Sequence, residues 1–255
     1  MKTVIRKFDG RAEDYTAGRP DYAVALIDCM YREYGVSDAS VIADIGSGTG
    51  KFARHLLDRG SEVYCVEPND DMRRTAEREL RSYGKFHSVT GTAEHTTLAD
   101  GAADFVTAAQ AFHWFDGKRF KEECLRILKD GGTVFLIWNV RDGSDLLNQE
   151  LFRLYTAYCP GFRGFSGGTQ QDDPKIKSFF GGRYVSMSFD HPLMFNRDRF
   201  VARCLSSSYS LREGDKGYEG YVDALNELFD RHEHHGLVSV ANQSVAYAGT
   251  IGQGR

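Results

Sequence analysis

The clearest chemistry in the chain lies in ten residues, Val41–Gly50, which read VIADIGSGTG. A short apolar run ends at Asp44 and passes at once into Gly46, Gly48 and Gly50, spaced by single residues. Glycine has no Cβ, so it accepts positive φ and lets a ligand approach the backbone closely. A helix beginning near Lys51 turns its first N–H groups and the positive end of its dipole toward such a turn. The pattern predicts a strand, a glycine turn and a helix seating a nucleotide-like or carboxylate-bearing ligand at the carboxyl edge of a parallel sheet. A tight strand-to-helix turn without a ligand is the alternative. A dinucleotide fingerprint would need glycine at position 51, where the chain has Lys51.

A second acid, Glu67, closes the next apolar run, EVYCVE. A carboxylate there can accept hydrogen bonds from both hydroxyls of a ribose lying across the sheet edge, and Pro68 fixes the exit from the strand. A solvated acid at a strand end is the competing explanation. Two further polar segments stand where later strands should end: Gly91–Glu94, GTAE, and Ala108–Asp116, AAQAFHWFD.

These segments are positioned by a regular alternation of patterns. Helical periodicity covers Asp21–Tyr34, Lys51–Asp58, Asp70–Leu80 and Lys118–Leu128, the last stopped by Gly131-Gly132. Strand patterns fall at Val41–Asp44, Glu62–Glu67, Phe86–Thr90, Asp104–Ala109 and Thr133–Trp138. Strands alternating with helices at this rhythm predict a parallel sheet with helices on both faces. After Asn139 the texture changes. Leu146–Tyr158, Asn196–Leu205 and Tyr221–His235 look helical, Arg183–Met194 and Val238–Ile251 look like strands, and Gly161–Asp173 is polar and glycine-rich.

Taken together, Asp44/Gly46/Gly48/Gly50, Glu67-Pro68, Gly91–Glu94 and Gln110–Asp116 resemble the class I S-adenosylmethionine-dependent methyltransferases of type 11. The spacing Phe8…Tyr15-x-x-x-Arg19-Pro20-x-Tyr22 is similar to the small-molecule branch that includes trans-aconitate methyltransferase-like proteins. The resemblance runs over roughly residues 8–140. It implies a Rossmann-like, seven-stranded, mainly parallel α/β sheet with a helical cap inserted from the C-terminal third. It divides the chain into a cofactor-covering segment with the first helix (1–40), a cofactor-binding core (41–140), and closing strands with an inserted substrate cap (141–255), all within one structural domain.

The same resemblance assigns Asp44, Gly46, Ser47, Gly48, Gly50, Glu67, Pro68, Met72, Ala93, Glu94 and Gln110 to S-adenosylmethionine, the loop with Glu94 lying beside its adenine. Tyr15 and Arg19 would contact the methionine moiety, Arg19 pairing with its carboxylate; a hydrophobic anchor and a surface charge explain them equally well. Methyl transfer from a sulfonium needs desolvation and in-line alignment, and a general base only when the nucleophile arrives protonated. His113 is the candidate base. Phe112, His113 and Trp114 would line the acceptor, since aromatic faces also suit a sulfonium. Structural packing of His113-Trp114 is the plainer alternative.

The expected function is therefore methyl transfer to a small molecule, with a non-catalytic cofactor-binding or regulatory protein of the same fold as the rival. Amino-directed nucleic-acid methyltransferases carry an Asp/Asn/Ser-Pro-Pro-aromatic element where this chain has Gln110-Ala111-Phe112-His113. The formal charge of −4 also argues against a nucleic-acid or anionic-membrane partner. The 255 residues contain no apolar run near the roughly 18–20 needed to span a bilayer. The N-terminus has no signal-peptide h-region, and five cysteines form no C-x-x-C pair. A cytoplasmic protein with reduced thiols is expected. His232 and His235 share a helix face but lack a third ligand or H-E-x-x-H spacing, so no metal is assigned.

Overall fold

A computed structural model describes residues 20–165, 173–207 and 209–252. Tyr15, Arg19 and Phe8 lie outside them. The chain divides into two compact units.

The first unit comprises the described residues 20–138, 173–189 and 244–252. Its leading elements are α1 (Val24–Glu33), β1 (Val41–Ile45), α2 (Lys51–Asp58), β2 (Glu62–Val66), α3 (Asp70–Leu80), β3 (Phe86–Val89) and β4 (Ala103–Ala109). A 3-10 turn, Phe112–Trp114, leads into α4 (Gly117–Ile127), and β5 (Leu128–Arg141) follows. After the second unit begins, α6 (Pro174–Phe180), β6 (Val185–Asp190) and β9 (Asn242–Thr250) complete the first. Seven strands form one sheet in the order β3-β2-β1-β4-β5-β9-β6, and β3 through β5 are parallel neighbours.

This topology fixes where a ligand can sit. The order reverses between β1 and β4, so their connections leave the sheet in opposite directions and open a crevice at the carboxyl ends. The helices are held to the sheet by stripes such as Phe52, Ala53, Leu56 and Leu57 of α2, all buried. Leu26, Ile42, Val63, Phe105, Phe135 and Ile137 belong to the same core. Helix starts are set by short polar side chains. Asn69 Oδ1 accepts the Met72 N–H at 3.0 Å ahead of α3, and Asp116 Oδ1 accepts the Lys118 and Arg119 N–H groups at 3.1 and 3.2 Å ahead of α4.

The second unit, residues 139–165 and 190–243 as described, contains α5 (Leu146–Tyr158), α7 (Arg197–Leu205), α8 (Tyr218–His232) and the antiparallel pair β7 (Leu193–Phe195) and β8 (Val238–Val240). Leu151, Tyr155, Phe200, Tyr221, Leu225 and Phe229 are among its buried core. No helix among the described residues is long and apolar enough to cross a membrane. All five cysteines are buried and outside any disulfide.

Three local expectations change. Gly131-Gly132 does not stop a helix; α4 ends at Ile127 and the glycines lie inside β5, beside a register shift between Ala103 and Phe105 of β4. Gly131 takes φ 78°, and a Cβ on Gly132 would meet the Asp104 carbonyl at 3.0 Å, so this glycine pair bends a strand. The run Arg183–Met194 splits into β6 and β7 around His191-Pro192, because proline brings no N–H to a ladder. Val238–Ile251 likewise splits at Ala241 into β8 and β9, strands of two different sheets.

Candidate functional site

The three motif glycines all adopt positive φ, 68°, 57° and 76° for Gly46, Gly48 and Gly50, but for different reasons. A Cβ on Gly46 would come within 2.8 Å of Ala111 Cβ and 3.1 Å of the Phe115 ring, so this glycine lets the β4 exit pack on the turn. A Cβ on Gly50 would lie 2.5 Å from Leu80 Cδ1, so that glycine brings α2 against α3. At Gly48 nothing among the described residues lies within 4 Å of such an atom. Gly48 is the open position in the turn.

The turn's amides are largely spent inside the protein. Gly46 and Ser47 N–H groups both donate to the Val66 carbonyl, at 2.8 and 3.2 Å, and the Gly50 N–H donates to the Ser47 carbonyl at 2.9 Å. Gly48 N–H donates to Glu67 Oε2 at 2.9 Å. Val66, Ser47 and Glu67 thus take the amides of Gly46, Ser47, Gly48 and Gly50 within the turn and its neighbouring strand end.

Behind the turn stands an acid. Asp44, at the carboxyl end of β1, is 1% exposed and lies in register with Cys65 of β2 and Thr107 of β4. Thr107 Oγ1 donates to Asp44 Oδ1 at 2.7 Å. The other oxygen, Oδ2, has no hydrogen-bond partner among the described residues. Burial pushes the Asp44 carboxyl up to about 7, against the Thr107 hydrogen bond and with some help from the negative charge of Glu67. A buried carboxylate with one vacant oxygen is matched by a cationic donor and mismatched by a phosphate.

Glu67 follows the last residue of β2 and is 8% exposed. Its Oε1 accepts the Asn69 N–H at 2.8 Å, while Oε2 holds Gly48. Burial raises its carboxyl; those two backbone hydrogen bonds, and Arg73 nearby, oppose the rise. Each oxygen keeps a second lone pair for a diol. Pro68 is half-buried beside it, and Met72, in the first turn of α3, is buried.

The loop after β3 makes a tight turn in which Thr92 and His95 exchange backbone hydrogen bonds at 3.0 and 3.1 Å. Ala93 within it is buried, and half-buried Glu94 reaches the β4 exit, where its Oε1 accepts the Asp116 N–H at 3.0 Å. Gln110 follows the last residue of β4 at φ 56°, an uncommon value for a side chain with a Cβ, while its N–H donates to the Ile137 carbonyl at 2.8 Å. His113 is half-exposed, with its ring centroid 4.7 Å from that of Trp114, itself 42% exposed.

Phe112 departs from its expected place in the acceptor wall. It is buried against Phe115, Phe120, Trp138 and Phe179 with ring centroids 5.2–6.3 Å away, so it supports the rim from beneath. Sequence reasoning missed Thr107, Asn69 and the Asp116 N–H. The signals were a hydroxyl within the apolar strand ADFVTAA and short polar residues just ahead of two helices.

Comparison with known proteins gives the following likenesses. Residues 43–136 match a family model described as a methyltransferase domain. Over 249 residues, 96% of this chain and 95% of the relative, it is 25% identical to the uncharacterized methyltransferase-like C25B8.10 of Schizosaccharomyces pombe. It is 37% identical over 128 residues to the uncharacterized methyltransferase Rv3342 of Mycobacterium tuberculosis H37Rv, a match spanning about half the length of each. Among solved structures, a candidate type II methyltransferase from Anaeromyxobacter dehalogenans shares the fold with TM-score 0.62 and 20% identity, over 91% of this chain and 97% of that one. Residues 43–136 thus match a methyltransferase domain, and the chain shares its fold with solved methyltransferases.

Proposed function

We propose that this protein transfers the methyl group of S-adenosylmethionine to a small-molecule acceptor, within the branch that includes the trans-aconitate methyltransferase-like proteins. The observation that carries the proposal is the vacant Oδ2 of buried Asp44 behind the open Gly48. The site favours a ligand with a cationic end by the turn and a diol by Glu67, and a methionine-linked adenosyl group has both. When bound, S-adenosylmethionine supplies an electrophilic methyl on a sulfonium.

The chain's own residues then bind, orient and exclude water. Asp44 takes the α-ammonium group, Glu67 takes the ribose hydroxyls, and Pro68, Met72 and Ala93 wall the adenine with Glu94 and Gln110 at its edge. Gly46, Ser47, Gly48 and Gly50 shape the turn. Tyr15 and Arg19, outside the described residues, would close over the methionine end. His113 accepts the proton of an oxygen or nitrogen nucleophile, and Trp114 offers the acceptor an apolar face.

The formal charge of −4 and the Gln110–His113 segment support a small molecule over nucleic acid. Five buried cysteines outside disulfides support the cytoplasm. No group of three or more His, Cys, Asp or Glu side chains that could hold a metal ion occurs among the described residues. Calorimetry with S-adenosylmethionine and S-adenosylhomocysteine tests the site. Incubation with methyl-labelled cofactor and a metabolite extract, read by mass spectrometry, tests the transfer. Absence of cofactor uptake refutes the proposal, and uptake without any labelled product refutes its catalytic half.

A further inference from the structure

Glu94 makes a contact that a role beside adenine does not require. Its Oε1 accepts the N–H of Asp116, the residue whose own side chain caps α4. Immediately upstream, Trp114 N–H bonds the Ala111 carbonyl at 2.9 Å and Phe115 N–H bonds the Phe112 carbonyl at 3.0 Å. Those two bonds define the turn that presents His113 and Trp114. Phe115 then packs over Gly46. The acceptor rim, residues 111–116, is thus pinned at one end to the glycine turn and at the other to Glu94.

Farther along, the same β3–β4 loop is tied to α4 by a buried set. Thr96 donates through N–H and Oγ1 to Glu123 Oε1 at 2.7 and 2.6 Å, and Arg126 Nη1 donates to the Leu98 carbonyl at 2.7 Å. These ties fasten the loop to the body of α4 whatever happens at Glu94. The Glu94 bond differs, being exposed at the carboxyl edge of the sheet, with no hydrogen bond to Oε2 among the described residues.

Resting on the cofactor reading above, we infer that Glu94 is a positioning residue that couples cofactor binding to the seating of the acceptor rim. One oxygen holds the Asp116 N–H while the other is available to the adenine amino group. A filled adenosyl site then orders Glu94, and Glu94 orders His113 and Trp114, so the acceptor site is completed after the cofactor has bound. A carboxylate accepting from a backbone N–H is one of the stronger single hydrogen bonds, enough to bias a short turn.

The two tryptophans of the chain allow a direct test without knowledge of the acceptor. In protein labelled with 5-fluorotryptophan, Trp114 on the rim and Trp138, 2% exposed, give separate fluorine resonances. Saturating S-adenosylhomocysteine, with saturation confirmed by calorimetry on the same sample, is expected to shift and sharpen the Trp114 signal and leave Trp138 unmoved. Glu94→Ala should lose most of that response at full saturation. Glu94→Gln, which keeps a carbonyl oxygen for the Asp116 N–H but turns an NH2 donor toward the adenine amino group, should leave the cofactor-free Trp114 signal as in the wild type and still lose most of the response, a separation that loss of general stability cannot produce. Glu94→Met, of similar length without an acceptor, repeats the test if the alanine protein does not fold. An unmoved Trp114 signal in the saturated wild type, or a full response in Glu94→Ala or Glu94→Met, overturns the inference. No uptake of S-adenosylhomocysteine by the wild type overturns the cofactor reading instead.

Discussion

Replacing Asp44 by Asn should make the cofactor-free protein more stable at alkaline pH and worse at binding its cofactor. Asn has the shape of the protonated acid and keeps an oxygen for the Thr107 hydroxyl at Oδ1. In the wild type, burial raises the folded-state carboxyl to about 7 from its ordinary value of 3.8. The folded state therefore holds a proton that the unfolded state has already released, and stability falls as pH rises between those two values. A shift of about 3 units corresponds to roughly 4 kcal/mol in all, of which about 3 kcal/mol is lost between pH 5 and 8.

Urea unfolding of both apoproteins at half-unit pH steps gives the difference between them. Ionisations common to both proteins, the histidines included, cancel in that difference. Glu123, held at about 2 by Arg126 and Thr96 against its burial, stays ionised throughout the window. The Asp44→Asn protein should gain about 3 kcal/mol on the wild type from pH 5 to 8, and the gain should flatten above that range. With S-adenosylhomocysteine bound, an ammonium beside Asp44 favours its charged form, so the wild-type slope should shrink. Affinity should meanwhile fall roughly 10- to 100-fold, the worth of one charge-assisted hydrogen bond of about 1.5–3 kcal/mol. A pH-independent stability difference refutes the burial argument. Unchanged affinity refutes the assignment of Oδ2 to the cofactor's cation.

Other perturbations separate the remaining roles. Glu67→Gln puts an N–H where the carboxylate accepts from Gly48 or Asn69, so cofactor affinity should drop at least tenfold and stability by about 1–3 kcal/mol in calorimetry and urea unfolding. Gly50→Ala forces a Cβ to 2.5 Å from Leu80 at φ 76°; it should cost about 1–3 kcal/mol, and a second change, Leu80→Val, should return part of that by relieving the contact. His113→Gln should leave S-adenosylhomocysteine affinity within twofold and lower methyl transfer by roughly 10²–10⁴ if the acceptor arrives protonated. An effect on binding instead of turnover would make His113 a packing residue.

How much of this was legible in the sequence depended on whether a signal was local. The helices Lys51–Asp58, Asp70–Leu80 and Leu146–Tyr158 have the bounds that their periodicity predicts, since capping and apolar spacing act within a few residues. The glycine turn was equally plain, yet the division of labour among its glycines was not. Gly46 answers to Ala111 and Phe115, and Gly50 to Leu80, contacts made only when distant segments fold together. The same holds for Phe112, which looks like rim in AAQAFHWFD but packs on Phe120 and on Phe179 of a helix no sequence pattern announced. Nothing near Asp44 in sequence says that Thr107 will hold one of its oxygens and leave the other vacant. That asymmetry comes from parallel register between β1 and β4, and on the proposed reading it is what suits the turn to a cation. Motif spacing named the elements of the site. The charge it selects is decided by pairing across the sheet.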